Sequence, residues 1–245
     1  MLECTIKMIE VNNLVLYGKN GTIRLKIPEL KFHSPGITAL VGHNGAGKSS
    51  LLKLAAGLEK SSHGSILYDQ KDIFIHYEDL KEKIHLLSWG LELYRNLSAK
   101  DHLDLFRSIC KNWNKDIELE LLKDLSIPTH KKVEKMSRGE QVRLRILLSL
   151  PRSPKVILID EVTNDLDTDS RRAIFKKLDS YSFDTGAQVV VATNMIEDIE
   201  RYASDIILLK KGEVILQSSL DSIKEQHNTS FEEIVRIYER KGSVL

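Results

Sequence analysis

One short segment restricts the fold of this chain more than any other part of its 245 residues. Residues 42–49 read GHNGAGKS and fit the spacing G-x-x-x-x-G-K-[ST]. The apolar run ITALV precedes the segment and SSLLKLAAG follows it, so the pattern predicts a strand, a glycine-rich loop and a helix. Backbone N–H groups of such a loop surround phosphate oxygens, and the helix N-terminus adds partial positive charge. The segment therefore predicts a phosphate-binding loop, in which Lys48 reaches the outer phosphates and the Ser49 hydroxyl binds Mg²⁺.

A pair of acidic residues lies far along the chain from this loop. The segment KVILIDEVTND predicts a buried strand that ends in Asp160 and Glu161. In P-loop NTPases an acidic residue at this place holds Mg²⁺, and a second acid orients the attacking water. Two solvated carboxylates at a strand end would explain the same letters. The phosphate loop favours the catalytic interpretation.

Strand and helix patterns alternate along most of the chain. Two early strand patterns are joined by the turn GKNG, and the patterns from about residue 98 to 150 are mainly helical. We therefore predict an α/β fold with a P-loop NTPase core and a mainly parallel sheet. An N-terminal antiparallel β subdomain and a helical subdomain, inserted at about residues 90–150, complete this prediction.

Composition excludes few functions, but it limits the classes of partner that we expect for this chain. The formal net charge is +1, which gives no general electrostatic reason for binding nucleic acid. Cys4 and Cys110 match no metal or redox spacing and indicate a reducing compartment. The start MLECTIKMIE lacks the apolar core of a signal peptide, and no run approaches the roughly 18 apolar residues of a spanning helix. We expect any membrane-embedded part to come from a partner.

The segment between the two motifs carries a family resemblance. MSRGEQVRLRILLSLPRSPKVILIDE resembles the signature helix of the ABC ATPases, which leads into the Mg²⁺ strand. The resemblance implies that the signature faces the γ-phosphate of ATP on a second subunit, through Ser137, Arg138, Gly139 and Glu140. Ser137 as a helix N-cap, with Glu140 as its capping-box partner, explains the same residues, and both roles are compatible. The resemblance covers about residues 6–218, and we predict residues 1–218 to be the ATP-binding domain.

The same resemblance assigns further residues. It implies ATP and Mg²⁺ as ligands, with Ser49 and Asp160 on the metal, and Asp167 in a loop that touches the opposite subunit. Tyr17 lies where the family often places an aromatic ring on adenine, although packing on the core would also explain it. The implied ATP-binding residues are Tyr17, Gly42, His43, Asn44, Gly45, Ala46, Gly47, Lys48, Ser49 and Ser50.

The chain departs from the family pattern at polar positions. Trp89 stands where the family usually has a glutamine that contacts Mg²⁺, and indole offers one N–H donor and no carbonyl oxygen. Glu92 is a weak substitute, and hydrophobic anchoring of the helical subdomain is the favoured role of Trp89. Asn194 replaces the usual histidine beside the γ-phosphate, and Val162 replaces a proline. An amide donates a hydrogen bond but does not become cationic. We expect ATP hydrolysis, with Glu161, Lys48 and Asn194 as catalytic residues, at a reduced rate.

The function predicted from these residues is the ATP-hydrolysing subunit of an ABC transporter. Analogy with two-component systems favours the exporter type. ATP-driven closure of two such subunits, identical or different, would drive a separate integral membrane subunit. The expected location is cytoplasmic, on the inner face of the membrane. An alternative is a low-activity ATP-gated partner in an asymmetric pair. A soluble ABC protein of DNA repair or ribosomes and a small-molecule kinase are less consistent with the motifs. Residues 219–245 are predicted to be a C-terminal helical extension. Its apolar stripe favours packing on the domain itself over a dimer contact, and it consists of Phe231, Ile234, Val235 and Tyr238.

Overall fold

Two sheets form the framework of the protein. The computed structural model describes residues 8–32, 35–90, 93–164, 166–227 and 229–241. Its strands are β1 (Ile9–Tyr17), β2 (Ile23–Lys31), β3 (Gly36–Val41), β4 (His63–Tyr68), β5 (Lys71–Asp72), β6 (Ile84–Ser88), β7 (Val156–Asp160), β8 (Gln188–Ala192), β9 (Ala203–Lys210) and β10 (Glu213–Ser219). Its helices are α1 (Lys48–Ala55), α2 (Tyr77–Leu80), α3 (Ala99–Ile109), α4 (Lys115–Asp124), α5 (Arg138–Ser149), α6 (Thr168–Thr185), α7 (Ile196–Tyr202), α8 (Leu220–Gln226) and α9 (Phe231–Lys241).

The smaller sheet is antiparallel, with the strand order β2-β1-β4-β5. Pro28 lies within β2, which is an edge strand, and proline is tolerated there because the outer edge needs no N–H donor. The larger sheet has the order β10-β9-β3-β8-β7-β6. Its strands are parallel except for β10, which pairs antiparallel with β9 across a turn at Lys211 and Gly212. The predicted α/β fold, with its antiparallel N-terminal sheet and mainly parallel core, is confirmed.

The parallel register brings the predicted functional strand ends together. Asp160 at the end of β7 pairs with Ala192 of β8 and with Ser88 of β6. Leu40 of β3 also pairs with Ala192. Since the carboxyl ends of parallel strands lie at one edge, the phosphate loop after β3 and the acids after β7 reach the same place.

Alternate residues of the core strands face different layers. Val156 and Leu158 pack toward α1 and the antiparallel sheet, whereas Ile157 and Ile159 pack toward α5 and α6.

A third cluster lies under the last helices and includes Phe231, whose side chain is buried. The apolar stripe of α9 therefore packs on the domain itself, as its helical spacing predicts. The boundaries of the helical subdomain and of the C-terminal extension stay predictions.

Helix α6 is longer than the pattern SRRAIFKKLDSY predicts. The Asp167 side chain accepts a hydrogen bond from the Ser170 N–H at 2.8 Å and caps the first turn. Gly186 ends the helix in a left-handed conformation with φ of 67°. The two caps extend the helix beyond its apolar pattern at both ends. In the described part of the chain, no helix is both long and apolar enough to cross a membrane.

Candidate nucleotide site

The phosphate loop connects β3 to α1 with a backbone that only glycine accommodates at two places. Gly42 has φ of 154°, and a Cβ there would lie 2.3 Å from the Leu209 carbonyl oxygen. Gly47 has φ of 111° and caps α1, and its Cβ would lie 2.5 Å from Leu25. These approaches explain why the motif needs glycine at both positions, and they hold the loop against β9 and β2.

Lys48 is the first residue of α1, and only 4% of its side chain is exposed. Its ammonium donates to the Gly42 carbonyl at 2.6 Å and to the His43 carbonyl at 3.4 Å. A carboxylate oxygen of Glu161 lies 3.0 Å from the same nitrogen. An ammonium has three N–H groups, so these three acceptors satisfy it. An incoming phosphate would replace Glu161 as the anionic partner of Lys48.

Ser49 and Asp160 lie together across the site. The Ser49 hydroxyl donates to Asp160 Oδ1 at 2.8 Å. Burial raises the pKa of Asp160, and the neighbouring Glu161 carboxylate raises it further, although the Ser49 hydrogen bond opposes both. A hydroxyl and a carboxylate oxygen suit Mg²⁺, and a divalent cation would relieve the crowding of negative charge. The two residues therefore fit the predicted Mg²⁺ ligands. No group of three or more His, Cys, Asp or Glu side chains among the described residues forms an additional metal cluster.

Glu161 has an unusual backbone conformation for its residue type. Its φ is 56°, in the left-handed region that non-glycine residues rarely adopt. The Glu161 N–H donates to the Ala192 carbonyl at 3.2 Å, and its own carbonyl accepts from the Asn164 N–H at 3.2 Å. These bonds hold the sharp turn after β7. The turn directs the carboxylate toward Lys48.

A cavity of about 590 Å³ opens beside the loop. Asn44, Gly45, Lys48, Ser49 and Glu161 line it, so it brings predicted phosphate-binding residues together with two of the three predicted catalytic residues. The third, Asn194, does not line this cavity. Ala46 does not line the cavity, but its carbonyl accepts the Gly212 N–H at 2.9 Å, so the β9–β10 turn supports the loop.

Sequence reasoning missed two basic residues that line the same cavity, Arg24 and Lys211. Arg24 also donates to the Ser50 hydroxyl at 2.5 Å, which links β2 to α1. The turn at Lys211 is readable from the sequence, but its position beside the phosphate loop depends on the pairing of β9 with β3.

Tyr17 ends β1 and has 44% of its surface exposed, so it is not a core residue. Its ring meets the His63 ring edge-on, with the centroids 6.0 Å apart. Part of the tyrosine ring is therefore exposed to solvent, and stacking on a base requires such an exposed ring face.

His43, Asn44 and Asn194 line a second cavity of about 560 Å³, here called the outer cavity. Helix α9 forms its far wall with Arg236 and Glu239. A carboxylate oxygen of Glu239 lies 3.0 Å from His43 Nε2. Asn194 is exposed, and it follows the buried Thr193, whose hydroxyl donates to the Asn164 side chain at 3.0 Å. The amide thus lies beside the phosphate loop, on a fixed backbone.

The signature begins α5. The Ser137 hydroxyl accepts the Glu140 N–H at 3.2 Å, and the Glu140 carboxylate accepts the Ser137 N–H at 2.6 Å. The predicted capping box is confirmed. Burial would raise the pKa of Glu140, but Lys131 and the Ser137 N–H lower it below its usual range. Ser137 and Arg138 are exposed, Gly139 is partly exposed, and none of these residues lines the cavity of the chain's own phosphate loop.

Trp89 follows β6 and is partly buried against the second core cluster. The guanidinium groups of Arg138 and Arg145 lie 5.7 Å and 5.4 Å from its ring centroid. The ring therefore anchors helix α5, in agreement with the favoured interpretation. Val162 is fully buried. Glu92 lies outside the described residues.

Comparisons with known proteins identify the family of this chain. A family profile described as ABC transporter matches residues 25–164. The lantibiotic transport ATP-binding protein SrtF of Streptococcus pyogenes is 30% identical over 87% of this chain and 92% of its own length. The methionine import ATP-binding protein MetN of Clostridioides difficile is 30% identical over 85% of this chain and 67% of its own. The ATP-binding cassette MJ0796, solved as a dimer in a post-hydrolysis state with ADP and Pi, superimposes with a TM-score of 0.76 at 25% identity. That match covers 87% of this chain and 99% of the other. With its loop, paired acids and signature helix, this chain belongs to the ABC transporter family, as an ATP-binding subunit.

Proposed function

We propose that this subunit hydrolyses MgATP slowly, as one half of an ATP-driven dimer. The observation that carries the proposal is the convergence of Lys48, Ser49, Asp160 and Glu161 at one edge of the sheet. The Lys48–Glu161 pair and the Ser49–Asp160 hydrogen bond join the loop to both acids. These four residues provide the phosphate-binding lysine, the Mg²⁺ ligands and the water-orienting carboxylate of this chain's own half of the site.

The ion pair between Lys48 and Glu161 supports the following order of events. When the terminal phosphate of ATP reaches the loop, Lys48 exchanges the Glu161 carboxylate for phosphate oxygens. Glu161 is then released to accept a hydrogen bond from a water molecule and to orient it for attack. Ser49 and Asp160 would hold Mg²⁺, which would supply positive charge against the negative charge that develops on the phosphate. Asn194 would donate a neutral hydrogen bond to the same phosphate.

Dimer closure would supply the rest of the site. Ser137, Gly139 and the start of α5 are available on the surface, and they offer a hydroxyl, a backbone amide and a helix N-terminus to an anion. Asp167 caps α6 beside the loop that would contact the second subunit. We propose that these residues act on ATP held by the second copy or by a related subunit.

The membrane partner would dock in a groove between the core sheet and helix α5. This groove contains a cavity of about 310 Å³, lined by apolar residues such as Leu86, Leu93 and Phe106 and by Arg145 and Arg152. An exporter is the direction we propose, since the match to SrtF spans nearly that whole protein. The methionine import protein MetN is also 30% identical to this chain, so the choice between export and import depends on identifying the membrane partner. Peripheral attachment to the inner membrane face follows from that partner. Purification of the chain from membranes, with identification of the integral protein that accompanies it, tests both points.

Phosphate release by the purified chain tests the enzymatic proposal. The wild type, alone and with its membrane partner, is compared with Glu161→Gln, which keeps the shape of the side chain but cannot act as a base. We expect the wild type to exceed the variant, while both bind ATP. Equal background rates would contradict hydrolysis.

An ATP-gated switch is the second candidate, and the observations that favour it are Asn194 and Trp89 in place of the usual side chains. It predicts ATP binding and dimerisation without turnover. Equal rates for wild type and Glu161→Gln, together with ATP-dependent dimerisation, would support this function instead.

A further inference from the structure

Trp89 lies between two parts of the site that are otherwise separate. It directly follows Ser88, which is paired in the sheet with Asp160, the candidate Mg²⁺ ligand. On its other side, Trp89 meets Arg138, the first residue of α5 and a member of the signature. One indole thus joins the strand edge of this chain's own ATP site to the surface that would serve a second subunit's ATP.

The two arginines contact the ring from the same side of α5. Arg138 and Arg145 are separated by seven residues, which is two helical turns and about 10 Å along the axis. Their guanidinium carbons lie 5.7 Å and 5.4 Å from the ring centroid, within the roughly 6 Å at which cations are attracted to an aromatic face. The ring therefore spans the first two turns of the helix. Arg138 is exposed, whereas Arg145 is buried and lines the groove cavity.

We propose that Trp89 is a positioning residue that fixes the signature relative to the carboxylate edge and the groove. A movement of α5 that displaced Arg145 would carry the indole and Arg138 with it. The ring does not line the cavity beside the phosphate loop, so it acts through Arg138 and not on the chain's own nucleotide. This inference rests on the proposed role of the signature in a dimer.

The second tryptophan makes a direct observation feasible. The chain has two tryptophans, and Trp113 lies elsewhere, with its indole N–H donating to Glu118 at 2.6 Å. In a Trp113→Phe background, the emission reports on Trp89 alone. We expect Arg138→Ala to change that emission in the absence of nucleotide, because it removes a cation from the ring. Arg138 is exposed, so the variant should fold. Unchanged emission would overturn the proposal, whether or not the protein hydrolyses ATP.

Turnover provides the second measurement. Trp89→Ala removes both arginine contacts, and loss of the one with Arg138, through which the ring acts on the signature, should lower phosphate release about two- to fivefold. Trp89→Phe should keep most of the wild-type rate. The affinity for ATP should stay within about twofold of wild type, a smaller change than the loss of that contact would give, because Trp89 does not line the cavity beside the phosphate loop. Adding Arg138→Ala to Trp89→Ala should lower turnover little further, since Trp89→Ala already removes the contact between the ring and Arg138.

The outcomes are separable. Equal loss in ATP affinity and turnover, or fully additive effects of the two substitutions, would contradict a positioning role. A wild type with no turnover would refute the proposed hydrolysis. The emission of Trp89 with and without Arg138 would still decide the inference.

Discussion

Asn194→His is the substitution that separates a slow ATPase from a switch. Asn194 is exposed and faces the outer cavity of about 560 Å³, so an imidazole fits without displacing the core. The backbone is fixed by Thr193, whose N–H donates to the Leu40 carbonyl at 3.3 Å. The substitution therefore changes the donor and leaves its position unchanged. A neutral hydrogen bond contributes about 0.5 to 1.5 kcal/mol and a charged one about 1.5 to 3.

The difference between these two bonds sets the expected gain. About 1 to 1.5 kcal/mol of added transition-state stabilisation corresponds to a rate increase of roughly five- to twelvefold. The assay is steady-state phosphate release at saturating MgATP, beside Asn194→Ala, which loses the donor and should be slower than wild type. Glu161→Gln gives the background. Affinity for ATP should change less than turnover, because the loop, Lys48 and Ser49 are untouched.

One result would refute this reasoning. If Asn194→His releases phosphate at the wild-type rate while Trp89→Gln releases it faster, then Trp89 is the limiting departure. The same result would contradict the positioning role of Trp89, since glutamine offers no aromatic face to Arg138. If neither substitution raises turnover above Glu161→Gln, the chain is an ATP-gated switch.

Three further measurements test the site and the fold. Tyr17→Ala should weaken ATP binding about two- to twelvefold and Tyr17→Phe should not, because stacking contributes about 0.5 to 1.5 kcal/mol; equal affinities would exclude stacking. Ser137→Ala should lower the free energy of unfolding by about 1 kcal/mol through loss of the cap, whereas Ser137→Asp should restore stability but not turnover, because it places an anion toward phosphate. Burial, reinforced by Arg152, lowers the pKa of His85 to about 3. Below about pH 6.5, His85 therefore binds a proton in the unfolded chain but not in the folded one. The free energy of unfolding is not reduced by His85 above that pH, and it falls by at most about 1.4 kcal/mol per pH unit as the pH drops toward 3. Urea unfolding across this range should show a shallower pH dependence for His85→Leu.

The sequence predicts the parts of the site that depend on local pattern. The phosphate loop is contiguous, and its glycine requirements at Gly42 and Gly47 follow from the motif. The approach of Asp160 to Ser49 is also predictable, because parallel strands present their carboxyl ends at one edge of a sheet. The capping box is predictable from the residue types of Ser137 and Glu140, three positions apart.

Contacts that depend on the packing of distant segments are not predictable in this way. Arg24 contacts Ser50 because β2 lies against the start of α1, and Lys211 reaches the cavity because β9 pairs with β3. The left-handed backbone of Glu161 accompanies a hydrogen bond from its N–H to Ala192 at the end of β8, a contact between segments distant in sequence. The arginine contacts of Trp89 require the docking of α5 against β6, which no single pattern encodes.

Two kinds of contact hold α9 beside the phosphate loop, and their contributions to stability differ in magnitude. The His43–Glu239 pair is largely exposed on the histidine side, and such pairs contribute about 1 kcal/mol or less. Phe231 and Ile234 are fully buried, and each such side chain contributes about 1.5 to 3 kcal/mol. Loss of the pair would therefore leave α9 docked. The helix is held by its apolar stripe, and the His43–Glu239 contact determines only which group faces His43 in the outer cavity, where Asn194 also lies. A ligand that competes for His43 can consequently exchange with Glu239 at small cost, without moving the helix that forms the cavity wall.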